Sequence, residues 1–248
     1  MNTMNKSFQL ILVAGLVASN SEAAVVIGGG THDGDFSQNT VANASWIERQ
    51  NLDQGWYTNG GSWTVVGGVA TKMDAGAVNN GIGQAVTMPT GVGSDSVLNI
   101  SFNWGAAAAG NTIFFDVIGL YNNNRETASD DFFELSGTAF RASNLSNGAA
   151  GIDLLDGSAQ AAAQVPTGTI SLVAAAAGDQ APYSLAIDAS SYAAIGGELG
   201  NLEYLAVCFR GDSGVTVDNV MIATIPEPTS TALVALGLGG LLARRRRI

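Results

Sequence analysis

The 248-residue chain is poor in the residues that most catalysis and most covalent bracing depend on. It has one cysteine, Cys208, so no internal disulfide can form. It has one histidine, His32, set in the flexible run Gly28-Gly29-Gly30-Thr31-His32. A serine–histidine–aspartate triad needs an imidazole held about 3 Å from a hydroxyl, and such a run holds it poorly. One histidine and one cysteine also make no zinc cluster. Cations are scarce, Lys+Arg 10 against Asp+Glu 21. Setting aside Lys6, Glu22, Glu227 and the arginines at the C-terminus leaves 5 basic and 19 acidic residues, a net charge near −14. A domain with that field repels nucleic-acid phosphates and anionic lipid, so a nucleic-acid partner is excluded. No repeat of fixed period marks a solenoid.

What the chain does have lies first at its ends. Lys6 precedes an apolar stretch from Phe8 to Ala18, and Ser21 and Ala23 are the small residues a signal peptidase needs. Residues 1–23 therefore read as a signal peptide cleaved after Ala23 or Ala24. At the other end stand Pro226-Glu227-Pro228, an uncharged apolar segment over 229–243, and Arg244-Arg245-Arg246-Arg247. The prolines stop a folded domain, because proline fixes φ and restrains the residue before it. The apolar segment is short of the roughly 20 residues of a stable span. The arginines stay on the cytoplasmic side. Such a segment holds a chain in the inner membrane transiently, as a short hydrophobic helix, better than it anchors it for life.

This tail resembles the PEP-CTERM sorting signal of Gram-negative bacteria. The triplet, the apolar segment and the basic end come in that signal's order and spacing. The resemblance implies recognition by a membrane-embedded exosortase, cleavage near the triplet, and delivery to the cell surface or an extracellular matrix.

Between the two signals, residues 24–225 make one domain. Gly 32 and many Asn-rich turns cut it into short apolar pieces. Strands are predicted over 63–71, 83–88, 97–104, 112–121, 131–135, 169–174, 184–188, 202–210 and 215–224, all rich in β-branched and aromatic residues. Ile100, Phe102 and Trp104 alternate with polar neighbours, and Leu205, Val207 and Phe209 alternate likewise, so one face of each strand enters a core. Gly211-Asp212-Ser213-Gly214 is expected to turn the last two strands into a hairpin. Two alanine-rich stretches, 106–109 and 157–165, do not fit the strand pattern, and the second reads as a short helix or a surface loop. Cys208, in an apolar run, is expected to be buried. The fold expected is an all-β antiparallel sandwich.

Gly34-Asp35-Phe36 near the start, Gly61-Ser62-Trp63-Thr64-Val65 in an early strand, and Val215-Thr216-Val217-Asp218-Asn219-Val220 near the end resemble the outline of jelly-roll carbohydrate-binding and galactose-binding-like modules. That resemblance implies a structural Ca²⁺ where the two ends meet, at Asp35 and Asp218. Ser37 stands where those modules carry an acid. A second oxygen-rich segment is Asn122-Asn123-Asn124 with Asp130 and Asp131.

Trp56-Tyr57 lies among Gly55, Asn59, Gly60 and Gly61. There a ring could stack on a sugar while amides and carboxylates bond hydroxyls, and the alternative is core packing, to which Trp56 inclines more than Tyr57. Trp63 and Trp104 belong to strands and to the core. A glycosidase needs two carboxyls about 5–9 Å apart, which Asp130, Asp131, Glu134, Asp153 and Asp156 could supply. Solvated turn acids are the plainer reading of these five. The sequence thus points to an exported, non-catalytic surface or matrix protein. A polysaccharide-binding module is the alternative, and a secreted glycoside hydrolase is a distant third.

Overall fold

The computed structural model describes residues 23–38, 40–44, 46–48, 51–74, 80–89, 96–121, 131–135, 141–142, 150–160 and 164–226. Two β-sheets face each other across one core. The first, here the terminal sheet, contains β1 (Ala24–Ile27), β5 (Trp63–Val66), β6 (Val69–Lys72), β8 (Ser96–Ala106), β15 (Gly178–Asp179), β16 (Tyr183–Asp188) and β18 (Thr216–Pro226). β8 and β18 pair along its centre. β15 and β16 follow one another along the free edge of β8, while β1 and β6 share the far edge of β18.

The opposing sheet contains β2 (Ala42–Asn43), β4 (Tyr57–Thr58), β7 (Ile82–Thr87), β9 (Thr112–Tyr121), β12 (Ala150–Asp153), β13 (Ala159–Gln160), β14 (Ile170–Val173) and β17 (Tyr204–Gly211). A small third sheet joins β3 (Trp46–Glu48), β10 (Asp131–Glu134) and β11 (Arg141–Ala142). Among the described pairs all are antiparallel except β2 with β4. The expected antiparallel sandwich is what the chain forms.

Alternation builds the core. Leu98, Ile100, Phe102 and Trp104 of β8 face Ile113, Phe115 and Val117 of β9 and Leu205, Val207 and Phe209 of β17. Phe102, Phe115 and Phe209 meet with ring centroids 4.9–5.2 Å apart. Contacts of that kind add to area burial by about 0.5–1.5 kcal/mol each. Trp63 and Trp104 are buried in the same core, as their strand positions suggested. Cys208 points the other way. It lies in a second apolar cluster, with Ile47, Ile118, Leu120, Phe133 and Leu135, beneath the small sheet. It is fully buried, and that burial pushes its thiol far above the ordinary range. An inert structural cysteine is the result.

Three expectations are corrected. The strand over 63–71 is a hairpin, because Gly67 and Gly68 take φ of +61° and +82°, the left-handed pair that a two-residue turn needs. The last two strands are no hairpin: β17 pairs with β7 and β9, and β18 with β8, so 212–215 carries the chain from one sheet to the other. The stretch 157–165 begins as a turn and enters β13, and residues 161–163 lie outside the described ones. The first alanine-rich stretch is the end of β8 and its turn. Three 3₁₀ turns over 189–201 were not foreseen. Among the described residues, no helix is long and apolar enough to cross a membrane. Residues 1–22 of the expected signal peptide and the tail beyond Pro226 lie outside the described residues.

Candidate functional site

Trp56 and Tyr57 do not form a platform. Trp56 is 2% exposed and stacks on Phe36 at 4.6 Å, and its Nε1 donates to the Asp33 carbonyl at 2.9 Å. Tyr57 is 8% exposed and packs in the second cluster, where burial raises its phenol pKa. The expectation of an exposed tyrosine is corrected. Successive residues of a strand point to opposite faces, so these two rings enter two different cores. Their adjacency was itself the signal against a shared sugar face.

Asp35 and Asp218 sit in segments that the fold does bring together. β18 carries a bulge between Asp218 and Met221, with Asn219 at φ +48°. Asparagine tolerates that conformation better than most residues. The bulge admits the loop 28–36: Val220 N–H donates to the Gly34 carbonyl at 2.8 Å. A Cβ on Gly34 would lie 2.3 Å from the Val220 oxygen, so only glycine fits there. This contact is the physical content of the paired Gly-Asp-Phe and Val-Asp-Asn-Val segments. The two carboxylates have neighbours of their own. Asp35 accepts from Ser37 N–H at 3.2 Å, and Asp218 accepts from the Asn219 amide at 3.0 Å. The hydrogen bonds from Ser37 hold the Asp35 carboxyl below the usual range. Among the described residues no three acidic, imidazole or thiol groups converge. Ca²⁺ takes 6–8 oxygens from carboxylates, side-chain amides and backbone carbonyls, of which these two carboxylates would supply only a part. Of the other oxygen-rich segment, Asn122–Asn124 and Asp130 lie outside the described residues.

An open depression of about 280 Å³ lies on the outer face of the terminal sheet. Asn103, Asp179, Gln180, Pro182, Thr216 and Asp218 line it. Thr216 and Asp179 approach one another over Gly105, where a Cβ would reach 2.8 Å from Thr216 Oγ1 and 3.4 Å from Asp179 Oδ1. Gln180 is occupied with its own turn, donating to Ala176 and Gly178 carbonyls at 2.9 Å. Sequence reading missed this site, because Asn103, Asp179 and Asp218 meet only through strand pairing.

β18 runs to Pro226, which lies opposite Ser96 of β8. Two residues before it, Thr224 pairs with Ala24, the first residue of β1. The first and last strands among the described residues, β1 and β18, therefore lie side by side in one sheet. The sequence match begins inside this strand. The chain carries a PEP-CTERM protein-sorting motif, residues 224–247. The motif marks it for export and sorting to the cell surface. Of its signature residues, Pro226 lies in β18, while Glu227, Pro228 and Arg244, Arg245, Arg246 and Arg247 lie outside the described residues. A search of curated protein sequences found no match.

Among solved structures, the chain is similar to one described as "CBM4 structure and function", at TM-score 0.42 and 12% identity, covering 79% of this chain and 100% of that one. It is similar to a family 11 carbohydrate-binding module from Clostridium thermocellum in complex with a mixed-linked tetrasaccharide, at TM-score 0.35 and 14% identity, covering 81% and 94%. It is also similar to a xylan-binding domain from Paenibacillus barcinonensis, at 0.33 and 12%, covering 75% and 98%. The fold described above rests on this chain's own strand pairing.

Of the remaining acids, Asp153 and Asp156 are bonded within the fold. Asp153 is fully buried and accepts from Leu155 N–H at 2.9 Å and Gly168 N–H at 2.7 Å. Burial raises its pKa. Asp156 accepts from Ser158 N–H at 2.8 Å and from the Thr167 hydroxyl. Burial opposes its ionisation, but the bonds from Ser158 and Thr167 outweigh that and lower its pKa. Both carboxylates thus cap the turn over 153–158, in the manner of aspartates that bond the backbone two residues on. Asp131 and Glu134 lie on β10.

Asp116 of β9 is buried with Arg210 of β17, whose Nη2 and Nε donate to its Oδ2 at 2.7 and 3.0 Å. The Thr169 hydroxyl donates to the other oxygen. His32 Nε2 stands 3.8 Å from the Asp53 carboxylate, which in turn accepts from Thr87 N–H and hydroxyl at 2.8 and 2.7 Å.

Proposed function

We propose that the chain is the precursor of a non-catalytic surface or matrix protein of a Gram-negative bacterium. Signal peptidase removes residues 1–23. The apolar segment 229–243 and the four arginines hold the exported domain in the inner membrane. An exosortase-type enzyme then cuts near Pro226-Glu227-Pro228 and releases it to the surface. One observation carries this reading: the sorting motif starts within the last strand of the sandwich, with no linker between. Cleavage before Pro226 would strip β18 of paired residues, so the cut falls at or just beyond that proline. The test is mass spectrometry of the C-terminal peptide of surface protein from the native host. A C-terminus between Pro226 and a few residues past Pro228 is expected. Mature surface protein ending in Arg247-Ile248 would overturn the processing and leave a plain anchor.

The depression supports a second reading, binding of a neutral polysaccharide. Its carboxylates, amide and hydroxyl suit sugar hydroxyls. Its lining has no cation to attract an acidic glycan. At about 280 Å³ it lies near the lower end of small-molecule sites, roughly 300–1,000 Å³, so it takes a single sugar unit. Asp218→Asn and Asn103→Ala should each weaken retention on a neutral polysaccharide column and keep the melting temperature. Retention unchanged in both variants would sink the reading.

A further inference from the structure

The outer face of the terminal sheet changes character at the bulge of β18. On one side stand the polar residues of the depression, Asn103, Asp179, Thr216 and Asp218. On the other, the outward residues of β18 are Met221, Ala223 and Ile225. Val25 of β1 lies opposite Ala223, and Val97 of β8 lies opposite Ile225. Val25, Met221 and Ile225 are 46%, 47% and 47% exposed. A Cβ built on Gly28 would meet Val25 at 3.2 Å and Met221 at 3.4 Å, so those two side chains flank one point and the patch is continuous there. A single exposed apolar residue is ordinary, but a contiguous group marks a contact surface.

The position of the patch says what covers it. The patch surrounds the place where the chain leaves the sheet. The first apolar residue of the 229–243 segment is Ala232, six residues after Pro226. Six residues reach at most about 20 Å. A domain of this size has a radius of gyration of about 16 Å. A tether that short keeps the end of β18 on the membrane side for as long as the segment is in lipid. The end of the same face that carries Asp179 and Asp218 is then directed away from lipid, while exposed Asp188, which pairs with Val97, stays at the edge of the patch.

We infer that the apolar end of the terminal sheet, Val25, Met221 and Ile225, is a lipid-contacting surface that seats the domain on the bilayer before the tail is cut. The inference rests on the membrane-held precursor proposed above. Seating would hold the Pro226 junction at a fixed height and orientation over the membrane, which is what a membrane-embedded protease needs from its substrate. Cutting removes the tether, and three partly exposed side chains alone bury too little to keep the domain on lipid. The same surface would therefore let the product go.

The test uses the exported chain, residues 24–248, in phosphatidylcholine vesicles. Cys208 is fully buried, so a thiol probe reports only on an introduced cysteine. Met221→Cys and Ile225→Cys place the probe in the patch. Val66→Cys, at a position 76% exposed on the same sheet beyond the bulge, is the control. Melting curves confirm that each variant folds. Nitroxide-bearing lipid should quench the probe at 221 and 225 several-fold more than at 66, and aqueous iodide should do the reverse. Equal lipid quenching at all three positions in chains that float with the vesicles would overturn the inference and leave the anchored precursor standing. A probe at 221 shielded from both quenchers would also overturn it, by showing protein over the patch. Chains that do not float with vesicles would overturn both.

Discussion

Arg210→Met tests whether the sandwich depends on a buried charge. The guanidinium is nearly buried, lies over the Phe114 ring at 5.7 Å, and is bonded through two nitrogens to the fully buried carboxylate of Asp116. Methionine keeps much of the side-chain stem and removes the charge. The Asp116 carboxylate is then left without its cation, and breaking a buried pair in this way costs about 3–5 kcal/mol. Against a total of about 5–15 kcal/mol for a domain, that is a large fraction. At about 2–4 °C per kcal/mol, the melting temperature falls by roughly 6–20 °C.

The pH dependence has a definite sign. Burial already pushes the Asp116 carboxyl above its ordinary value, opposed by Arg210 and by the Thr169 hydroxyl. Removing Arg210 raises it further. A carboxyl whose folded pKa exceeds its unfolded value favours the folded state fully below the unfolded value, about 3.9, and less as pH rises through the folded one. The deficit of the variant relative to wild type should therefore shrink on acidification from about pH 7 to about pH 4.5. Urea titrations at both pH values measure it, with the slope expected to stay constant. Asp116→Leu combined with Arg210→Met should recover most of the loss, because an apolar pair leaves no stranded charge. A cost below about 1 kcal/mol, or a deficit indifferent to pH, would refute the reasoning.

Trp56→Ala should lose about 3–5 kcal/mol of stability in urea melts, as truncation of large buried aromatics does. Any glycan retention should then be lost only with unfolding, and a well-folded Trp56→Ala that no longer binds sugar would restore the platform. Ca²⁺ and chelator should leave the melting temperature unchanged, because the Val220 N–H bond to the Gly34 carbonyl already joins the loop 28–36 to the bulge. A rise with Ca²⁺ that Asp218→Asn abolishes would establish a metal site at Asp35 and Asp218.

Much of this protein was legible in its sequence, because the relevant signals are local. The order of triplet, apolar segment and arginines needs no fold to be read. The alternation of Ile100, Phe102 and Trp104, and of Leu205, Val207 and Phe209, states which side chains enter the core, since period two is fixed by the backbone of a strand. Strands of two residues, such as β4 and β13, showed no such period and were missed. Tertiary structure alone decided the partners. It placed β17 and β18 in opposite sheets, joined Asp116 to Arg210 across 94 positions, and set Ala24 beside Thr224 at the two ends of the domain. It also buried Trp56 against Phe36 and gathered Asn103, Asp179 and Asp218 into one depression. Pairing register is a choice among distant segments of similar composition. It is settled by which arrangement buries the most apolar surface while bonding every strand, and no short stretch of sequence contains that comparison.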